Sequence, residues 1–362
     1  MPSLKFKNHH LSYTMSRRPY RIEMYFKNKR PSYYLVKEVA FKGRRTKVRK
    51  YLGMKKPTHK ELERYRREYA YDIELRVAMK KAEMSCEFFQ SDYLSNEQIL
   101  KLEKIHFMYN AVTDLMTTSE LKAYERDFEI HYISGTTQIE GNTLTLGQTR
   151  DLLESDILPS EKSLREVNEV QNFKQVIQFR NKSKGPVTLQ FIKTIHALIM
   201  DNIDHESAGL FRRMNGIVIA GEPEIRVAPS DLIEEELQRI INDYYRRVES
   251  GHHPFEQAVL FHYYFELLHP FTDGNGRVGR EILNYMLNRR KYPRLLFLGS
   301  DRDIYLRGLR RGNDEEYGEM ISLFADIIMK QRFEVLEENL RKLAPGLQKR
   351  GQISLTDFIG IN

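Results

Sequence analysis

Cysteine is almost absent from the sequence, since Cys86 is the single thiol in 362 residues. An intrachain disulfide and a zinc site built from cysteines are therefore both excluded. No apolar run reaches the roughly 18 to 20 residues that a membrane-spanning helix requires. The first ten residues are basic but contain no apolar stretch of the kind found in signal peptides. These absences predict a cytoplasmic protein that has no membrane partner.

Charge is distributed unevenly along the chain. Residues 1–60 contain 18 Lys and Arg against two acidic residues, a balance of +16, whereas the whole chain carries +8. The remainder is therefore acidic, with a balance of −8. A basic segment attached to an acidic remainder indicates an anionic partner, either nucleic acid or an acidic protein surface. The alternative, that these charges only solvate a small surface domain, stays open.

Alternating residues predict a small antiparallel β module at the start of the chain. In residues 33–52, aromatic and β-branched residues alternate with polar ones on both sides of a turn at Lys42 and Gly43, and residues 21–26 supply a third strand. The helical segment that follows carries opposite charges, among them Asp72, that we expect on a solvated face. The predicted parts are a basic β module at 1–57, a connecting helix at 58–94, a core at 95–342 and a short tail at 343–362.

Helical periodicity dominates the core. Apolar residues recur at three- and four-residue spacing in segments near 95–116, 119–133, 163–181, 188–202, 230–249, 255–268, 276–290 and 315–341. One exception is a short hairpin, whose strands carry Ile217, Val218, Ile219, Ile225 and Val227. The predicted fold class is therefore mainly α, a helical bundle with a β-hairpin flap, preceded by the small antiparallel β module.

The segment HPFTDGNGRVGR, residues 269–280, contains the residues suited to chemistry. It joins two predicted helices, and the unpaired N–H groups at the start of the second helix can bind an anion. Gly274 and Gly276 let the backbone approach a phosphate closely. Asn275 is suited to be the N-cap of that helix and can also donate its amide to a phosphate oxygen.

Charged residues complete this segment. Arg277 and Arg280 lie three residues apart on one helix face, where they can neutralise a polyphosphate. Asp273 is a hard oxygen ligand suited to Mg²⁺, and His269, with an ordinary pKa near 6.5, suits a general base. Each residue alone has an ordinary explanation, as a helix cap, a turn or a surface pair. Their coincidence within twelve residues favours a site for phosphate chemistry.

Other motifs fail on detail. The sequence contains no GxxxxGK[ST] segment and no HExxH pair, which excludes a P-loop and the common zinc-hydrolase site. An EF-hand that began at Asp273 would need glycine at its sixth position and glutamate at its twelfth, where Val278 and Asn284 stand.

Residues 269–280 resemble the signature of the Fic family, HxFx[DE]GNGRxxR, and match every specified position. The likeness extends over about residues 110–330, including Ala208–Arg212 before the hairpin and a later segment with Arg302, Tyr305 and Gly312. The resemblance implies a protein adenylyltransferase, in which His269 takes the proton from a Ser, Thr or Tyr hydroxyl of a target protein. That oxygen would attack the α-phosphate of ATP, and pyrophosphate would leave.

The resemblance also assigns the nucleotide contacts. Asp273 would hold Mg²⁺ or Mn²⁺, Asn275 and the N–H groups of the glycine-rich loop would cradle the phosphates, and Arg277 and Arg280 would bind the β- and γ-phosphates. Phe271 would anchor the loop in the core, and the hairpin would clamp the target by adding a strand. Kinase-like members have a lysine where this chain has Gly276, so the glycine favours AMP transfer, while transfer of another nucleotide moiety stays open.

A second motif, TTQIEGN from Thr136 to Asn142, resembles the inhibitory helix of the same family, [ST]xxxE[GN]. Glu140 would end a helix over about 120–141, where the helix dipole disfavours a carboxylate without a cationic partner. The resemblance nominates Arg280 as that partner and implies a self-inhibited enzyme. Whether Glu140 also removes AMP, and whether the chain forms a homodimer, stay open. The rival hypothesis is an ATP-sensing regulator that binds nucleic acid through residues 1–60.

Overall fold

The structure is a computed structural model that describes residues 20–27, 29–215 and 227–328. The chain divides into two compact units, residues 1–80 and 81–362, and the boundary falls inside a long helix, α1, His59–Cys86. The part division from the sequence, at residues 57, 94 and 342, stays a prediction. Among the described residues, no helix is long and apolar enough to cross a membrane.

The first unit contains the predicted three-stranded antiparallel sheet. Its strands are β1, Arg21–Lys27, β2, Arg30–Phe41, and β3, Arg44–Gly53, in the order β1-β2-β3. The β2–β3 turn is at Lys42 and Gly43, as predicted, and both residues have positive φ angles of 42° and 84°. The buried residues Leu35, Val39 and Val48 form the core on one sheet face.

Helix α1 contributes acidic side chains to this unit. The Asp72 carboxylate lies 3.1 Å from Lys50 Nζ, and the Glu74 carboxylate contacts Lys37 and accepts a hydrogen bond from the Tyr20 hydroxyl at 2.6 Å. The predicted solvated role of Asp72 was therefore wrong. The pattern of charges in the sequence does not distinguish a helix face exposed to solvent from a helix face that pairs with a basic sheet.

The second unit is a helical bundle, so the predicted mainly α fold class is confirmed. After α1 its helices are α2 Asn96–Leu115, α3 Thr118–Ile139, α4 Leu146–Ser155, α5 Leu164–Lys182, α6 Leu189–Ile199, α7 Ile233–Glu249, α8 Pro254–Leu268, α9 Asn275–Arg289, α10 Arg302–Asn313 and α11 Tyr317–Ile327. Helices α4 and α10 were not predicted as helices. Of the predicted flap residues, Ile217, Val218, Ile219 and Ile225 lie outside the described residues, as does the tail at 343–362.

A buried ion-pair network joins α3 to the rest of the bundle. Glu129 of α3 contacts Arg180 of α5 and, at 2.5 Å, Arg294, which follows α9. Arg180 also lies 3.1 Å from Glu281 of α9, and Arg294 contacts Glu125 of α3. Burial alone would raise the pKa of Glu129, but the two arginines outweigh it and lower the pKa. The network therefore ties α3 to α5 and α9 through charged groups.

Candidate functional site

The loop between α8 and α9 is fixed by its backbone and one aromatic ring. His269 ends α8 in the left-handed region, at φ 48°, and Gly274 precedes α9 at φ 78°. Phe271 between them is fully buried, and its ring stacks on His196 with the centroids 3.7 Å apart. The expected anchoring role of Phe271 agrees with this packing. The loop is therefore held rigidly between the two helices.

Asn275 has a different local role from the predicted one. Gly274 occupies the N-cap position, and Asn275 is the first residue of α9, so the predicted Asn275 cap was wrong. Its buried side chain accepts a hydrogen bond from the Phe271 N–H at 2.9 Å and donates one to the Phe271 carbonyl at 2.8 Å. The amide therefore closes the loop. Anion binding at this helix start would rest on the backbone N–H groups of the first turn.

His269 is suited to accept a proton. Its Nδ1 lies 3.4 Å from the Glu266 carbonyl oxygen, which can only accept, so this long contact favours the proton on Nδ1 and the lone pair on Nε2. Burial lowers the pKa of His269, and the nearby Arg212 lowers it further. The imidazole is therefore mainly neutral at pH 7, the form in which a histidine acts as a base.

Two buried arginines follow the loop on α9. Arg277 has carboxylates of Glu169 and Asp273 at 3.3 and 3.2 Å. Arg280, with no exposed surface, donates from Nε to the Thr136 hydroxyl at 2.8 Å and from Nη2 to the Thr136 carbonyl at 2.9 Å. Among the described residues, Arg277 Nε and Arg280 Nη1 are buried donors that have no hydrogen-bond partner. Unsatisfied buried donors of this kind fit an anionic ligand.

Glu140 lies at the end of α3, which Gly141 terminates with φ 99°. Its Oε1 is 2.7 Å from Arg280 Nη2, so the structure brings together the two residues that the resemblance paired. Gly276 permits this contact, because a Cβ there would be 2.2 Å from Glu140 Oε1. Burial raises the pKa of the neighbouring Glu266 to about 8, so that side chain is mainly neutral at pH 7. Glu140 therefore supplies the carboxylate that contacts Arg280.

Asp273 offers one carboxylate at the mouth of the loop. It contacts Arg165 and Arg277, and its side chain is 40% exposed. Burial would raise the pKa of Asp273, but Arg277, the Gly274 N–H and Arg165 outweigh it, so the pKa is lowered. Among the described residues no group of three or more His, Cys, Asp or Glu could hold a metal. Mg²⁺ is often held by one or two carboxylates plus substrate phosphates, so Asp273 fits a cation that arrives with a polyphosphate.

His196 supports the loop and was missed from the sequence. Its Nδ1 accepts the Gly209 N–H at 2.8 Å, which places the ring proton on Nε2, and that group donates to the Asp273 carbonyl at 3.1 Å. Burial lowers the pKa of His196 to about 4, so it remains neutral. No motif marks His196, because its partners are backbone groups far along the chain.

Arg212 joins the loop to the chain on both sides of residues 216–226. Its guanidinium donates to the carbonyls of His269 at 2.8 Å, Met214 at 2.9 Å and Ala228 at 2.5 Å. Of the predicted flap residues, Val227 is described, and it is half-buried. One buried side chain therefore holds the two sides of the predicted hairpin beside His269.

Helix α10 lies beside Arg280. The Tyr305 ring centroid is 5.3 Å from the Arg280 guanidinium, and its hydroxyl is 3.0 Å from His262 Nε2. Arg302 donates to the Ile139 carbonyl at the end of α3 at 3.0 Å. Gly312 allows close packing, since a Cβ there would be 2.5 Å from the Tyr263 ring. The segment singled out by resemblance thus contacts both α3 and Arg280.

Comparison with known proteins finds the same family that the sequence motifs resemble. Residues 186–287 match the model of the Fic/DOC family. The protein adenylyltransferase fic-1 of Caenorhabditis briggsae is 32% identical over 219 residues, which are 59% of this chain and 42% of that protein. The protein adenylyltransferase Fic of Drosophila ananassae is 30% identical over 236 residues, with shares of 64% and 46%. The chain therefore spans less than half the length of these relatives.

Solved structures share the fold. Fic-1 of Caenorhabditis elegans superimposes with a TM-score of 0.58 at 24% identity, covering 79% of this chain and 87% of that one. A Fic domain containing signaling protein from Bacteroides thetaiotaomicron gives the same TM-score and identity, covering 68% and 97%. At this identity the likeness concerns the fold.

Proposed function

We propose that this chain, whose residues 186–287 match the model of the Fic/DOC family, is a protein adenylyltransferase. It would transfer AMP from ATP to a Ser, Thr or Tyr hydroxyl of a target protein, under inhibition by its own Glu140. The observation that carries the proposal is the pair of buried arginines beside a neutral histidine, with the Glu140 carboxylate on Arg280. The names of the relatives, protein adenylyltransferases, support the same reaction.

The transfer step requires a base and charge neutralisation. His269 Nε2 would take the hydroxyl proton of the target, whose oxygen forms a bond to the α-phosphorus of ATP as the bond to pyrophosphate breaks. The lowered pKa of His269 keeps the imidazole in the accepting form. The first-turn N–H groups of α9 and the arginines would neutralise the phosphates, which is the main contribution of protein groups in phosphoryl transfer.

A divalent cation would bind at Asp273. Mg²⁺ or Mn²⁺ there would supply further neutralisation of the phosphates when bound. Asp273 now contacts Arg165 and Arg277, so these arginines would share the carboxylate with the cation.

Inhibition would arise from competition for Arg280. The γ-phosphate of ATP would need the guanidinium nitrogen that the Glu140 carboxylate now contacts at 2.7 Å. Thr136 holds the other side of the same guanidinium and thereby fixes its orientation. A role of Glu140 in removing AMP, a homodimer and a cytoplasmic location stay predictions.

Labelling with nucleotides tests the reaction and the two residue roles together. We expect label from [α-³²P]ATP with Mg²⁺ on the Glu140→Gly variant, little on wild type, and none on Glu140→Gly/His269→Ala. Label from [γ-³²P]ATP should be absent, which separates AMP transfer from phosphate transfer. Equal labelling of wild type and Glu140→Gly, with both folded, would contradict inhibition. No labelling of any variant that binds ATP would contradict AMP transfer itself.

A further inference from the structure

The outer face of the β module, defined as the sheet face opposite Leu35, Val39 and Val48, carries most of the strand cations. In the observed register Arg45 pairs with Ala40, Lys47 with Glu38 and Arg49 with Val36, and directly paired residues share a face. β1 contributes Arg21 and Lys27 to the same face, and β2 contributes Arg30. Two acidic residues, Glu23 and Glu38, share it, so the outer face has six cations and a balance of +4.

These cations are exposed and partly fixed in position. The side chains of Arg21, Arg45 and Lys47 are 52%, 68% and 36% exposed. Glu23 contacts Arg21 and Lys47, each at 2.9 Å, and so holds two cations from the outer strands. Such fixed cations lose less side-chain freedom when they bind an anion.

Tyrosines occupy the middle of the outer face. The ring centroid of Tyr34 lies 5.6 Å from that of Tyr25 and 5.4 Å from that of Tyr51, with interplanar angles of 80° and 59°. The Arg49 guanidinium lies 5.1 Å from the Tyr25 ring centroid. Because one pair of rings is edge-on and the other is tilted, the rings do not form a row of parallel surfaces on which unpaired bases would stack. Tyr51, on the edge strand β3, is nevertheless 51% exposed, so this side of the face can contact a ligand.

The dimensions of this face suit a duplex. Strands about 4.8 Å apart make a three-stranded sheet about 10 Å across, close to the roughly 12 Å width of a DNA major groove. The 12 residues of β2 extend over about 36 Å, near the 34 Å rise of one duplex turn, and cations lie at both ends, at Arg30 and Arg45. A long, regular polyanion fits this spread of charge better than a local acidic area on a protein.

We infer that the outer face of the β module binds double-stranded DNA. Its six cations would contact phosphates, and its tyrosines would lie against the groove. This goes beyond the AMP transfer proposed above and does not depend on it. Contacts with about four phosphates would make affinity fall about 100-fold between 50 and 200 mM NaCl.

The test is fluorescence anisotropy of a labelled duplex of about 25 base pairs, titrated with the full chain over a salt series. Arg45→Glu and Arg44→Glu form a matched pair, because these exposed neighbours change charge equally but lie on opposite faces. We expect Arg45→Glu to weaken binding at least about ten-fold and reduce the salt slope by about one, and Arg44→Glu to have a several-fold smaller effect. Glu23→Gln should bind more tightly than wild type, since it raises the charge of the face.

Equal losses from Arg45→Glu and Arg44→Glu would overturn the assignment to this face, since binding would then follow overall charge. Absence of duplex binding by wild type at low salt would overturn it entirely. Tighter binding of the single strand than of the duplex, lost in Arg45→Glu, would replace duplex DNA by a single-stranded ligand. Unchanged thermal unfolding of both arginine variants would show that the comparison is made on folded protein.

Discussion

Glu129 offers a sharp test of how the candidate inhibitory helix is held. The Glu129→Gln change keeps the shape of the side chain but removes the negative charge shared by Arg180 and Arg294, whose side chains are 3% and 6% exposed. Breaking a buried ion pair typically costs about 3–5 kcal/mol. Arg180 keeps Glu281 and Arg294 keeps Glu125, so we expect the lower end, about 3 kcal/mol.

Thermal unfolding measures this effect. For a unit as large as residues 81–362, about 3 kcal/mol corresponds to a Tm decrease of about 5 °C. Because α3 also carries Thr136 and Glu140, looser attachment of α3 should increase AMP labelling, but not in a Glu140→Gly background, where inhibition is already removed.

The control is Asp127→Asn on the same helix. Asp127 pairs with Arg150 at 2.9 Å, but the two side chains are 42% and 39% exposed, so the pair should contribute less than about 1 kcal/mol. If Glu129→Gln lowers Tm no more than Asp127→Asn does, the network does not hold α3. If Glu129→Gln raises labelling equally in the presence and absence of Glu140, the effect of Glu129→Gln does not pass through the Glu140–Arg280 contact.

Three further predictions follow from the site. Arg212→Lys keeps the charge but not the planar set of donors that bind the carbonyls of His269, Met214 and Ala228. AMP labelling in the Glu140→Gly background should therefore fall about ten-fold or more, while the ATP dissociation constant stays within two-fold. Unchanged labelling would show that these Arg212 contacts do not position His269. The pKa of His269 is lowered, so its neutral form persists below pH 6.5 and the acid limb of the labelling rate should lie below that pH; a half-maximal rate above pH 7 would contradict His269 as the base. Burial lowers the pKa of His196 to about 4 and that of His262 to about 3. Between pH 6.5 and 4 each histidine therefore binds its proton mainly in the unfolded chain. The free energy of unfolding should consequently fall as pH falls through this range. Urea unfolding at several pH values checks this, and His262→Gln should reduce the pH dependence; an unchanged dependence would show that His262 does not contribute.

Local sequence patterns predicted most elements of the fold. α3 ends where Gly141 was expected to stop it, and the β2–β3 turn is at Lys42 and Gly43. Helix α4 was missed because only Thr149 and Leu152 are buried in its ten residues, too few to give a periodic apolar pattern. Helix α10, with three buried residues, is rich in arginine and gave no clear pattern either.

Contacts between residues far apart in the sequence were harder to predict. Glu140 and Arg280 are 140 residues apart, and only the resemblance to known sequences paired them. His196 and Arg212 act through backbone carbonyls and N–H groups, which leave no requirement on the identity of the partner residues. The Asn275 cap failed for a local reason, because Gly274 adopts the left-handed conformation at the helix start and the Asn275 amide binds the loop instead.

Arg212 holds both ends of the chain segment between Asn215 and Val227, so we call this segment an exchangeable cassette. Arg212 fixes the carbonyls of Met214 and Ala228 to the backbone of His269, and a second closure joins the Ser230 N–H to the Asn215 side chain at 2.7 Å. The ends of the cassette are therefore set by residues outside it. Sequences from other proteins could therefore be exchanged between these ends without moving the histidine.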